Sequence, residues 1–145
     1  MTLHRQSTSH SFSSAKPARN TEFPPVRPAR ARRARSASRA VADCMFIQHV
    51  IASAHRVDIA KLRAPTRQCA PVAFARQVAM YLAHISRGLT LTEVGRCFER
   101  DRTTVAHACR MVEDHRDRPE IDLALDYLEA AIATRLEPHP PNVGW

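Results

Sequence analysis

Glycine is almost missing from this chain: Gly88, Gly95 and Gly144 are the only three in 145 residues. No phosphate-cradling Gly-x-x-x-x-Gly-Lys loop can be written with them, and a chain of this length is expected to carry no ATPase fold and to use no nucleotide. Long apolar runs are missing too. No stretch approaches the roughly 18 apolar residues of a membrane-spanning helix, so no membrane partner is expected. The four cysteines, Cys44, Cys69, Cys97 and Cys109, contain no Cys-x-x-Cys pair and follow no secretory signal. They read as reduced thiols of a cytoplasmic protein. His107 lies near Cys109, but no compact second ligand pair accompanies them. Cys97 and Cys109 therefore read as small apolar fillers, and no metal or other cofactor is expected. His107 and Cys109 are also about 200° apart on a helix, too far around to cooperate in nucleophilic catalysis, so the chain is not read as an enzyme.

Acidic residues are lacking at the start. Residues 1 to 40 hold nine Arg or Lys and one acid, which accounts for the whole net charge of +8, while residues 41 to 145 hold thirteen of each sign. Within that balanced part, residues 56 to 110 carry ten bases against four acids, and residues 111 to 145 carry three against eight. The local basic section suits a nucleic-acid partner, and a solvated basic face fits the same count. The first 40 residues are rich in Ser, Arg, Ala and Pro with few large apolar side chains. Such a stretch cannot bury enough surface to offset its ordering entropy and is expected to be disordered. The run Arg30-Ala-Arg-Arg-Ala-Arg35 at its end suits a phosphate grip as well as it suits a solubilising tail.

Five helical segments follow. A helix is expected from Val41, with Val41, Met45, Ile47, Val50, Ile51 and Ala54 as its apolar face. Asp58 can cap a short turn through Leu62, and Pro65 and Pro71 bracket a loop holding Arg67. A helix from Pro71 to about Ser86 stops at Gly88, with Val78, Tyr81, Leu82 and Ile85 as its buried stripe. Thr90 and Glu93 form a capping box that starts a helix over Leu91 to Phe98. Asp101 caps a second one from Arg102 to about Asp114, in which Val105, Ala108, Cys109 and Val112 make a buried stripe at i, i+3, i+4 and i+7. Two short helices joined by about three residues, the second opening with Arg102-Thr103-Thr104, suit a helix-turn-helix that sets its second helix in a DNA major groove. A last helix from Pro119 carries Ile121, Leu125, Leu128 and Ile132 on one face and Glu120, Asp122, Asp126 and Glu129 on another. Spacing alone leaves open whether it closes the core or pairs with a second copy. Residues 137 to 145, rich in proline, are expected to be unstructured.

The runs Arg76-Gln77-Val-Ala-Met-Tyr-Leu-Ala, Leu89-Thr-Leu-Thr-Glu-Val-Gly-Arg-Cys-Phe and Asp101-Arg-Thr-Thr-Val-Ala-His-Ala-Cys-Arg closely resemble the C-terminal DNA-binding domain of the bacterial replication initiator DnaA. The similarity covers about residues 44 to 116. It implies an all-α, Trp-repressor-like helical domain over residues 41 to 136, flanked by the two tails. It also implies sequence-specific binding of double-stranded DNA, in transcription regulation or in regulation of replication initiation, in the bacterial cytoplasm at the nucleoid. A nucleoid-associated or adaptor protein that binds DNA non-specifically through the basic tail is the alternative, and a second copy or another DNA-bound protein is a further candidate partner.

Carried over residue by residue, the resemblance assigns Arg67 to the minor groove, as an implication weakened by a loop poorer in arginine and about one residue longer than the family's. It places Arg76 and Gln77 on backbone- or base-contacting positions. Thr92 stands where the family has proline, and its amide can face a phosphate. Asp101, Arg102, Thr103 and Thr104 form the reading end, with Arg100 beside it as a phosphate contact. Two departures matter. The family has Asp-His-Thr-Thr where this chain has Asp101-Arg102-Thr103-Thr104, which replaces a base-contacting histidine by a permanently charged fork. The turn Glu99-Arg100 is one residue shorter than the family's and has no glycine, so a positive φ there falls on a side-chain-bearing residue. Arg96, His107 and Arg110 face outward, as DNA contacts or as solvated side chains.

Overall fold

A computed structural model describes residues 29–136, which form six helices and no strand among the described residues. They are α1 (Ala29–Ala54), α2 (Ile59–Arg63), α3 (Ala70–Arg87), α4 (Leu91–Phe98), α5 (Arg102–His115) and α6 (Pro119–Arg135). Residues 1 to 28 and 137 to 145, where most of the expected disorder falls, lie outside the described residues.

The first helix corrects the expected boundary, for it begins at Ala29 rather than Val41. Alanine and arginine are strong helix formers, and the segment from Ala29 to Ala54 holds neither glycine nor proline. Once residues 40 to 54 are packed, extending the helix backwards adds one hydrogen bond per residue without a new nucleus. Burial is a poor guide to such an extension. Ser36, Ala37 and Ser38 are exposed, and the core begins only at Ala40.

The face of α1 that packs inward also differs from expectation. Ala40, Asp43, Cys44, Ile47, Gln48 and Ile51 are buried, whereas Val41 and Met45 are about half exposed, at 48% and 47%. Two polar residues sit on the buried stripe because each has a partner. Arg87 Nε donates to Asp43 Oδ2 at 2.8 Å, and Arg63 Nε donates to Gln48 Oε1 at 2.6 Å. The first contact is a buried ion pair between α1 and the end of α3, with both residues at or below 5% exposure. The seam between α1 and α4 holds Cys44 and Cys97. The neighbouring Cys97 thiol, and then burial, push the Cys44 pKa up, and the same neighbour draws that of Cys97 down.

Helix α3 is the centre of the domain and touches every other helix. Val78, Tyr81 and Leu82 are buried as the spacing predicts, but Ile85 is 46% exposed because the inward stripe continues through Ala79 and Ala83 instead. The helix ends at Gly88 in the left-handed conformation, φ 63°. Asp58 caps α2 by accepting from Ala60 N at 2.8 Å.

Helix α6 buries Leu125 and Ile132 and half-buries Ile121 and Leu128. Its acids converge on Arg116 at the end of α5. Nη1 donates to Asp122 at 2.5 Å and to Asp126 at 3.0 Å, Nη2 to Glu129, and Nε to the Tyr81 hydroxyl at 3.0 Å. The guanidinium also lies 5.6 Å from the Tyr81 ring centroid. One fixed cation thus gathers three carboxylates, about 20 Å along α5 from its first turn.

Candidate nucleic-acid interface

The two helices of the reading head begin and end where their capping residues require. Thr90 Oγ1 accepts from Glu93 N at 3.2 Å, and Glu93 Oε2 accepts from Thr90 N at 2.8 Å, so both orphan amides of the α4 start are satisfied. The turn after α4 needs a left-handed residue, and Glu99 supplies it at φ 53°, ψ 46°. Arg100 N then donates to Gly95 O at 2.8 Å, folding the turn back over α4. Gly95 is required by that approach, since a Cβ there would lie 2.5 Å from the Arg100 carbonyl oxygen.

Asp101 opens α5. One carboxylate oxygen accepts from Thr104 N at 2.8 Å and from the Thr103 hydroxyl, and the other accepts from Thr104 Oγ1 at 3.2 Å. The hydrogen bonds from Thr103 and Thr104 hold its pKa below the usual carboxylate value. Asp101 therefore does two things. It caps the helix, and it commits the protons of both threonine hydroxyls, leaving their lone pairs and methyl groups on the outer surface. Asp101, Arg102, Thr103 and Thr104 are all exposed, with His107 and Arg110 exposed on the same helix. Val105, Ala108, Cys109 and Val112 anchor the opposite face in the core.

Around this end the other sequence-derived candidates divide. Thr92 is exposed on the second turn position of α4, and Arg67 is exposed in the loop between α2 and α3. Gln77 is half-buried on α3. Arg76, which the resemblance places on a contacting position, has its guanidinium turned inward, and only 9% of the residue is exposed. Its Nε donates to Leu62 O at 2.8 Å, and its Nη2 donates to Lys61 O and Ala64 O, each at 3.0 Å. Arg100 is half-buried and donates to Ala64 O at 2.7 Å and to its own neighbour Glu99 O at 3.0 Å. Both arginines thus hold the chain around Ala64, the start of the Arg67 loop, against the helix-turn-helix. The acceptors are backbone carbonyls, which have no signature in a sequence. Nothing short of the fold could have paired them.

An α4–turn–α5 unit on a helical scaffold, with a capped and outward-facing first turn in its second helix, is the architecture of a helix-turn-helix DNA-binding domain. Residues 44–112 match the family described as the bacterial dnaA protein helix-turn-helix, and over them this chain resembles a DnaA C-terminal domain. The chromosomal replication initiator protein DnaA of Psychromonas ingrahamii is 40% identical over 82 residues, which cover 56% of this chain and 18% of that protein. The DnaA of Bordetella pertussis is 38% identical over 88 residues, covering 59% of this chain and 19% of the relative. The matched part therefore spans less than a fifth of the length of these curated relatives. A crystal structure of a DNA replication initiation factor superposes with a TM-score of 0.65 at 28% identity, covering 72% of this chain and 32% of that one.

Proposed function

We propose that this protein binds double-stranded DNA sequence-specifically through α5, and that it acts on initiator-type boxes in the regulation of replication initiation or of transcription. The observation that carries this reading is the ordered first turn of α5, where Arg102, Thr103 and Thr104 are exposed together around Asp101. A guanidinium fork suits the O6 and N7 acceptors of guanine. A threonine hydroxyl whose proton is held by Asp101 can only accept, so Thr103 suits the amino group of adenine or cytosine, and its methyl suits thymine. Exposed Arg67 then lies on the adjoining loop as the minor-groove candidate, with Thr92 and Arg100 beside the turn as phosphate candidates. Gln77 remains a candidate on α3. Arg76 acts in this reading through the loop it holds. The relatives named above are replication initiators, which supports a role at the same class of site; a changed residue at Arg102 argues for a changed preferred sequence.

The experiment is a selection from random duplexes with the whole chain at near-physiological salt, followed by Arg102→Ala on the recovered site. The expected result is a defined motif whose affinity falls about 5- to 150-fold with Arg102→Ala, the loss of one bidentate contact. Binding that is equal for all sequences, with a steep and common salt dependence, would replace this reading by non-specific, nucleoid-type or adaptor binding through the basic tail of residues 1 to 40.

A further inference from the structure

Helix α6 has more apolar surface than this domain covers. Beyond its core side and its acidic side toward Arg116, a third strip runs along Leu123, Tyr127, Ala130, Ala131 and Thr134, all exposed. Leu123 is 60% exposed and Tyr127 73%, the largest values among the exposed large apolar residues described. Spacings of three and four place these residues within about 100° of helix surface, opposite Leu125 and Ile132. A helix apolar on two sides is normally covered on both, and an aromatic side chain standing out of such a strip is the usual anchor of an interface.

We infer that this strip is covered by the same strip of a second copy, the two α6 helices crossing antiparallel about a two-fold axis near Tyr127. Two features of the strip select that occupant. Its bulk is graded, with Leu123 in the N-terminal half, Tyr127 at the midpoint, and Ala130, Ala131 and Thr134 in the C-terminal half. Parallel pairing sets Leu123 against Leu123 and leaves a gap over the alanines; antiparallel pairing about Tyr127 seats Leu123 of each copy on Ala131 of the partner subunit, with the two Tyr127 rings side by side at the two-fold axis. Its ends are oppositely charged, with exposed Glu120 in the first turn and exposed Arg135 in the last. Antiparallel pairing sets Glu120 of one copy beside Arg135 of the partner subunit at both ends. A 17-residue helix is about 25 Å long, and one such seam buries about 1,000 Å², the low end for a specific interface, so the dimer is weak. Where the DNA-binding reading holds, two copies on neighbouring half-sites reinforce each other without new base contacts.

The test is sedimentation equilibrium of the full chain over a wide concentration range, without DNA, alongside circular dichroism of each variant. A reversible monomer–dimer equilibrium is expected. Tyr127→Glu should weaken it at least tenfold with unchanged helicity, since the side chain is outside the core. Glu120→Arg and Arg135→Glu should each weaken it, and the two together should restore it, because the exchanged charges again face each other. A monomer at every concentration would overturn the inference and leave the strip to another partner. So would a dimer indifferent to Tyr127→Glu, or a double charge exchange no better than the singles. None of these failures touches DNA binding by a single head, which the duplex selection reads separately.

Discussion

Arg76 and Arg100 donate to one and the same carbonyl oxygen, that of Ala64, at 3.0 and 2.7 Å. They approach it from α3 and from the turn between α4 and α5, so this backbone atom fastens the Arg67 loop to the reading head. The closeness has a cost that burial sets: desolvation, and then the Arg100 charge, lower the Arg76 pKa from its ordinary value. The guanidinium stays charged at neutral pH nonetheless, being held by three acceptors.

Arg76→Ala should therefore destabilise the fold by about 1–3 kcal/mol, the cost of leaving the buried Leu62 carbonyl and the part-buried Lys61 carbonyl without their charged donor. Urea denaturation measures this directly. An unchanged midpoint combined with a large loss of DNA affinity would instead make Arg76 a DNA contact and the inward geometry irrelevant to binding.

The glycine-poor turn makes a second prediction. Glu99 occupies a left-handed conformation at φ 53° that costs an L-residue about 1–2 kcal/mol, so Glu99→Gly should raise stability by about 0.5–1 kcal/mol after the glycine's own entropy is counted. Gly95→Ala should do the opposite, losing about 1–3 kcal/mol as the new methyl displaces the Arg100 carbonyl. Melting curves of the two variants should move in opposite directions. A stabilised Gly95→Ala would mean that the turn yields freely.

His55 should make stability depend on pH. It lies edge-on to Phe74, with ring centroids 6.0 Å apart, and burial lowers its pKa from 6.5. Between that lowered value and 6.5 the unfolded chain binds more protons than the folded one, so stability rises with pH across this window. The contribution is complete above pH 6.5 and is lost as pH falls through the folded-state pKa. Urea midpoints on either side of that window should differ in wild type, and the difference should shrink in His55→Gln. An unchanged difference would assign the effect to other groups.

Local rules carried much of this far. The capping box of α4 with its span Leu91–Phe98, the Asp101 cap and the buried stripe of α5 are contacts within a few residues, and the turn Glu99-Arg100, which holds no glycine, leaves its positive φ to a side-chain-bearing residue, Glu99. The family resemblance rests on the same runs, because the residues that shape a helix-turn-helix are neighbours in sequence. Reading failed where polar residues belong to the core. Asp43 and Gln48 interrupted the apolar pattern of α1 and shifted its expected face onto Val41 and Met45, since their partners Arg87 and Arg63 lie 44 and 15 residues away.

The sequence by itself determined where α3 to α6 start and stop and which residues stand at the tip of α5, because helix caps, turns and 3.6-residue stripes are short-range physics. Only the tertiary structure decided what each charge is for. Arg102 and Arg76 are the same residue type in the same basic section, yet one is left in solvent and the other spends its donors on Lys61, Leu62 and Ala64. An arginine's role follows from the acceptors within reach of its fork, and backbone carbonyls brought there by packing leave no mark in the order of residues.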